Sequence, residues 1–160
     1  MLALRPPGAA DVEPARPTGG ALAACRSLVA ALPQTLDGAE RREVDPDVGT
    51  TAAWGDPAIV LRCGTAAPDP VTVQCVGVDG VDWAFLARGS GGSEGHGTHE
   101  EGAARTGPDL GYAFRTYGRE PVVEIVVPPE HAPEAEVLVP LAPLVGRLPT
   151  TDLRCLAGGS

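Results

Sequence analysis

The side chains with the most chemical potential are four cysteines, Cys25, Cys63, Cys75 and Cys155. No two of them form a Cys-x-x-Cys pair, which sets aside zinc-ribbon and thioredoxin-like chemistry. An even count in a small chain rich in Gly and Pro points instead to two disulfides and an oxidising compartment. The competing reading is four buried free thiols in a cytosolic protein. Once paired, the cysteines are no longer nucleophiles.

Other candidate groups are sparse. His96 and His99 sit in Gly-His-Gly-Thr-His-Glu-Glu beside Glu94, Glu100 and Glu101, but a metal needs preorganised ligands and this stretch is Gly-rich, so a solvated loop is expected and no metal is assigned. Only four serines occur, Ser27, Ser90, Ser93 and Ser160, and no Gly-x-Ser-x-Gly elbow presents any of them to a base. Gly-Ser-Gly-Gly-Ser-Glu-Gly lacks the Gly-Lys-Ser/Thr that completes a phosphate loop. Asp56, Asp79, Asp82 and Glu124 fall in ordered segments, yet nothing in their spacing brings two together. No catalytic residue and no cofactor is assigned.

Two aromatic turns remain. In Trp54-Gly55-Asp56-Pro57 a strand closes on a large apolar residue, Gly permits a bend and Asp-Pro starts a turn. Tyr117-Gly118-Arg119 reads as a hairpin turn. The functional expectation is that Trp54, Tyr117 and Arg119 meet at one sheet end, where the Arg fork would take an acidic or sugar-like envelope ligand. The plainer alternative is packing, with Arg119 paired to a local carboxylate such as Asp56.

The elements that must position these groups follow from hydrophobic periodicity. Residues 1–17 hold several prolines and read as an extended arm with an edge strand near Val12. Thr18 or Gly19 caps a helix whose Leu22, Cys25, Leu28, Val29 and Leu32 share one face before Pro33 ends it, so Cys25 faces the core. Strands are expected around Arg41 to Val44, Thr50 to Trp54, Ala58 to Cys63, Val71 to Val76, Val81 to Leu86, Tyr112 to Tyr117 and Val122 to Val127. Ala58 to Cys63 and Val71 to Val76 are expected to form a hairpin, and Asp79-Gly80 to turn the next one.

Residues 88–108, rich in Gly, Ser, Glu and His, bury too little to offset the entropy of ordering and are expected to be a disordered insertion. A second helix, regular from about Val139, places Leu138, Leu141, Leu144, Val145 and Leu148 on one face despite Pro140 and Pro143. The expected fold is α+β, a mostly antiparallel sheet of about five to six strands with two helices on one face. Residues 18–155 form its single domain and residues 156–160 a tail. Four cysteines allow three connectivities; this layout favours Cys63 with Cys75 across neighbouring strands and Cys25 with Cys155 between helix and carboxyl end.

Charge excludes one class of partner. The net charge is -9 and all 12 basic residues are Arg, so a phosphate backbone would be repelled and nucleic acid is not expected as a partner. Absence of Lys and Asn, whose codons are AT-rich, fits a GC-rich genome, so Arg over Lys carries no special meaning. No segment approaches the roughly 20 apolar residues of a membrane span. Met1-Leu2-Ala3-Leu4-Arg5-Pro6-Pro7 has neither a basic n-region nor an h-region. The cysteines conflict with such an address unless the true start lies upstream or a leader has been removed.

Five phrases in order carry a resemblance: Cys25 with Leu28 and Leu32-Pro33; Ala53-Trp54-Gly55-Asp56-Pro57; Val60-Leu61-Arg62-Cys63-Gly64; Cys75 with Gly80-Val81-Asp82-Trp83; and Thr116-Tyr117-Gly118-Arg119 leading to Pro121 through Pro128. Over about residues 20 to 155 the chain resembles the actinobacterial domain of unknown function 3515 family. That resemblance implies an extracytoplasmic domain behind a membrane-spanning or lipoprotein-type leader, and no activity from which site residues could be transferred. The expectation is a non-enzymatic, membrane-tethered binding or accessory module of the cell envelope, with an unknown envelope ligand or protein as partner. The alternative is a small envelope hydrolase using carboxylates.

Overall fold

The computed structural model describes residues 9–68, 74–86, 111–131 and 134–155. The expected insertion at 88–108, with His96, His99, Ser90 and Ser93, lies outside the described residues, as do the first eight residues and the tail. The arm behaves as its prolines suggest: β1 (Ala10–Asp11) pairs in parallel with β4 (Val44–Asp45) and buries Val12 beside it. Then α1 (Gly19–Ala31) starts with Thr18 at its N-cap and buries Cys25, Leu28 and Val29. Leu32, at the C-cap, turns extended ahead of Pro33, which disfavours helical backbone in the residue before it.

The remaining strands are β2 (Thr35–Leu36), β3 (Ala39–Arg42), β5 (Thr51–Trp54), β6 (Ile59–Thr65), β7 (Gln74–Val78), β8 (Val81–Leu86), β9 (Tyr112–Thr116) and β10 (Val122–Val127). They form one sheet of eight strands in the order β2-β3-β5-β6-β10-β9-β8-β7. Every neighbouring pair is antiparallel. The sheet is thus larger than the five to six strands expected. One source of the difference is Asp37-Gly38, whose φ values of 53° and 81° turn β2 back onto β3 just as Asp79-Gly80 turns β7 onto β8; strands of two residues leave no period to read.

Alternation assigns the faces. Ile59, Leu61 and Cys63 of β6, Val123, Ile125 and Val127 of β10 and Trp83 of β8 meet the helices in one buried cluster. The opposite face carries a smaller cluster of Ala10, Val12 and Ala53, where the arm crosses β5 and β6. Thr50 Oγ1 donates to Ala15 O at 2.8 Å, fixing the arm there. Gly64, at φ +102°, lets the arm lie close: a Cβ would stand 2.6 Å from the Pro17 ring.

Two expectations are corrected. After β10 the chain forms a 3-10 turn (Pro129–His131), a longer 3-10 helix (Glu134–Leu141) and only a four-residue α2 (Ala142–Val145), not a regular helix from Val139. Pro140 lies inside the 3-10 segment and Pro143 in the first turn of α2; without N–H groups they cannot extend an i to i-4 ladder. The buried face nevertheless survives, because Leu138, Leu141, Val145 and Leu148 all enter the helix-side cluster.

The second correction concerns pairing. Ala58 to Cys63 and Val71 to Val76 form no hairpin: β6 lies between β5 and β10, while β7 is the far edge strand. Four strand spacings of about 4.8 Å put Cys63 and Cys75 roughly 19 Å apart, well beyond the roughly 7 Å Cα limit for a disulfide. They also face opposite sides, since Cys75 sits across from Ala84 and not from the core residue Trp83. The bonds are Cys25–Cys63, with Cα atoms 5.5 Å apart, and Cys75–Cys155, at 5.7 Å. The first ties α1 to a central strand, and the second ties the carboxyl end to the edge.

One buried charge organises the middle of the sheet. Glu124 on β10 is 1% exposed and pairs across the strands with Arg62 of β6 and Arg115 of β9. Arg62 bonds its Oε1 at 2.7 and 2.9 Å and Arg115 its Oε2 at 2.9 Å twice. The spare donors reach carbonyls outside the triad, Glu13 O from Arg62 and Ala66 O from Arg115.

Peptide mapping without reduction should recover Cys25 joined to Cys63 and Cys75 joined to Cys155, and no other pairing. Replacing Cys25 and Cys63 together by Ala should lower unfolding free energy by about 4 kcal/mol on the chain-entropy model for a separation of 38 residues. For Glu124→Ala the expected loss is about 3 kcal/mol, because two partly buried guanidinium groups lose their counter-charge. Urea titration reads both, and a loss under about 1 kcal/mol for Glu124→Ala would mean that the arginines simply resolvate.

Candidate functional site

The three residues expected at one sheet end are not together. Trp54 pairs with Ile59, the first residue of β6. Arg119 lies beyond the other end, because β9 passes Glu124 at Arg115, Glu124 faces Arg62, and the chain continues from there to Tyr117 and Arg119. A shared site of Trp54 with Tyr117 and Arg119 is therefore excluded by register. Trp54 serves the core: it is fully buried, its Nε1 donates to Pro33 O at 3.0 Å, and Arg41 stands 6.0 Å over its ring.

Tyr117 and Arg119 do share a cleft of about 300 Å³ with Asp82, Thr151 and Arg154. Its outer wall is the carboxyl-terminal segment. Thr151 N donates to Gly118 O at 2.9 Å, Thr150 bridges to Arg119, and Cys155 N donates to Asp82 Oδ2 at 2.8 Å beside the disulfide. Arg119 is occupied in building that wall: its Nη1 donates to Gly146 O and to Leu148 O, both at 2.8 Å. The carboxylate partner suggested for it, Asp56, sits in the turn after Trp54 at the opposite end.

The four carboxylates of the ordered part serve different places. Both oxygens of Glu124 are taken by arginines, and Asp82 accepts the Cys155 amide. Asp56 and Asp79 are exposed in separate turns, between β5 and β6 and between β7 and β8. Ser27 is exposed on α1, and His131 Nε2 lies 2.9 Å from Pro57 O. Among the described residues no group of three or more His, Cys, Asp or Glu is placed to hold a metal ion.

A larger cleft, of about 540 Å³, opens between α1, the β3-β4 segment and the start of β5. It exists because the β3-β5 ladder stops after two pairs, Arg41 with Trp54 and Arg42 with Ala53, and the chain then leaves to pair β4 with β1. Arg26, Arg41 and Arg42 line it with Gln34, Glu43 and Asp47, over apolar patches of Val29, Ala30, Val44 and Ala52. Arg41 caps the α1 carboxyl end by donating to Val29 O at 3.1 Å and Leu32 O at 3.3 Å. Arg42 donates to Gly55 O at 2.7 Å. The Arg41-Arg42 pair was visible in the sequence, but Arg26 joins it only through the crossing of α1 over the sheet, which no local pattern announces.

Arg119→Ala should cost about 1 to 3 kcal/mol by removing two hydrogen bonds to the Gly146 and Leu148 carbonyls, with the thermal midpoint falling accordingly. Unchanged stability would release Arg119 from this structural role.

A family model described as protein of unknown function (DUF3515) matches residues 6–153. Neither the curated proteins nor the solved structures give a match. With nearly the whole described domain inside the matched span, the chain belongs to the DUF3515 family.

Proposed function

We propose that this chain is a binding or accessory module of the extracytoplasmic cell envelope, of actinobacterial type and tethered to a membrane, and that it works without catalysis. The observation that carries the setting is the pair of closed disulfides spanning 38 and 80 residues. Such bonds persist in oxidising compartments and are reduced in most cytosols. Tethering is what the family resemblance implies, and no helix among the described residues is long and apolar enough to supply it.

Binding is favoured over hydrolysis by what the polar groups are doing. Carboxylate hydrolysis needs two carboxyl groups aimed at one substrate position. Of the four carboxylates marked in the sequence, Glu124 is saturated by two arginines, Asp82 holds the carboxyl-terminal segment, and Asp56 and Asp79 occupy different turns, while Glu43 and Asp47 share the larger cleft with three arginines. The open clefts are instead bordered by arginine forks, the side chain suited to planar recognition of carboxylate or phosphate.

Fractionation of native cells tests the setting. The protein should sediment with membranes and take up a thiol reagent only after reduction. Recovery in the soluble cytoplasm with four reactive thiols would overturn the reading.

A further inference from the structure

The two disulfides differ in whether a reductant can reach them. Cys25 and Cys63 are both 0% exposed, inside the helix-side cluster, whereas Cys75 on the edge strand and Cys155 are each partly exposed. Thiol-disulfide exchange requires a thiolate to touch a disulfide sulfur, so access decides which bond is cut while the protein stays folded.

What the accessible bond holds is a second, independent observation. Leu148 is the last residue before the bond that packs into the core; from Pro149 to Cys155 no residue is buried, and Leu153 is 39% exposed. This strap meets the body through three hydrogen bonds: Glu120 N to Pro149 O at 3.0 Å, Thr151 N to Gly118 O at 2.9 Å and Cys155 N to Asp82 Oδ2 at 2.8 Å. At a surface, water can replace such bonds at small net cost. Its seat is nevertheless prepared. Gly118 has φ +95°, and a Cβ there would collide with Leu153 O, so glycine lets the strap lie flat against the turn and close the outer wall of the Tyr117-Arg119 cleft. Burial contributes little to this closure, which leaves the covalent bond as its lock.

We propose that Cys75–Cys155 is a redox latch opened by a dithiol partner. A thiolate of the partner attacks one sulfur of the bond, joins it in a mixed disulfide and releases the other as a thiolate; the partner's second thiol then displaces the first and leaves with a disulfide of its own. Two electrons and two protons pass from the dithiol to Cys75 and Cys155. The strap then lifts, uncovering the Asp82 carboxylate and the Tyr117-Gly118 backbone, while Cys25–Cys63 and the pairing of β7 with β8 keep the sheet as it is. The latch stands whether or not the clefts bind a ligand.

Dithiothreitol is the probe. The oxidised full chain is treated in native buffer, blocked with iodoacetamide at intervals and mapped. Cys75 and Cys155 should be alkylated at least about tenfold faster than Cys25 and Cys63, whereas in concentrated guanidinium the two bonds should open at similar rates. Equal rates in native buffer, or earlier opening of Cys25–Cys63, would mean that reduction proceeds through unfolding and would overturn the latch.

Amide exchange reads the strap. With Cys75–Cys155 alone cut, the amides of Thr151 and Cys155 should exchange at least about tenfold faster, while those of Leu61 and Ile125 on the central strands keep their protection. The double variant Cys75→Ser with Cys155→Ser should show the same pattern without reductant. Unchanged exchange at Thr151 and Cys155 would show that the hydrogen bonds seat the strap unaided. Loss of protection across the sheet, or failure of the double variant to fold, would show that the bond holds the domain and not a strap; either result overturns the proposal.

Discussion

The constraint on which the sheet depends is the burial of Glu124. A carboxylate 1% exposed on a central strand has to be matched by opposite charge and by hydrogen bonds, because an isolated buried charge costs far more than packing can return. Register supplies the match, since Arg62 and Arg115 stand directly across from it on the two flanking strands. Slipping either strand by one residue would turn its arginine to the core face and leave the carboxylate half paired. The triad therefore selects one alignment of β6, β10 and β9, and through the spare donors of its arginines it also fixes the arm at Glu13 and the chain leaving β6 at Ala66.

Each disulfide secures a different face of that aligned sheet. Cys25–Cys63 lies inside the helix-side cluster and holds α1 against β6, whereas Cys75–Cys155 is placed on the other face at the edge strand and holds the carboxyl-terminal segment. The divided labour suits a chain whose second helical region is mostly 3-10. With short and proline-interrupted helical segments on one face and a thin arm on the other, packing alone ties the ends weakly, and covalent links restrict how far they open.

How legible this was depended on the range of the signal. Strands such as Val81–Leu86 and Val122–Val127, the helix face through Cys25, and the arm strand near Val12 follow from local alternation, periodicity and proline content, and they stand as read. Sheet order did not follow. Insertion of β10 between β6 and the rest is a pairing across about sixty residues, so adjacency in sequence suggested a β6-β7 hairpin and hence the wrong cysteine partners. The supposed site of Trp54, Tyr117 and Arg119 failed for the same reason, since composition can mark aromatic turns but only register says at which sheet end each turn falls. The Arg26 cleft went unseen because its residues come from a helix, a broken ladder and a turn.

The arginines clarify why composition misled about function. In a chain without lysine, arginine performs backbone clasping: Arg41 spans two carbonyls at the α1 end, Arg119 spans two in the α2 region, and Arg62 and Arg115 each add a carbonyl to their ion pair. A planar fork can satisfy two acceptors at once in fixed geometry, which a lysine point charge on a flexible stem does poorly. Once these bonds are counted, an arginine near a turn is no evidence for an anionic ligand, and Arg119 loses its special standing. Arg26 differs in degree only, for it gives the fold a single bond, from Nε to Val48 O, while its exposed side chain rests over Gly49.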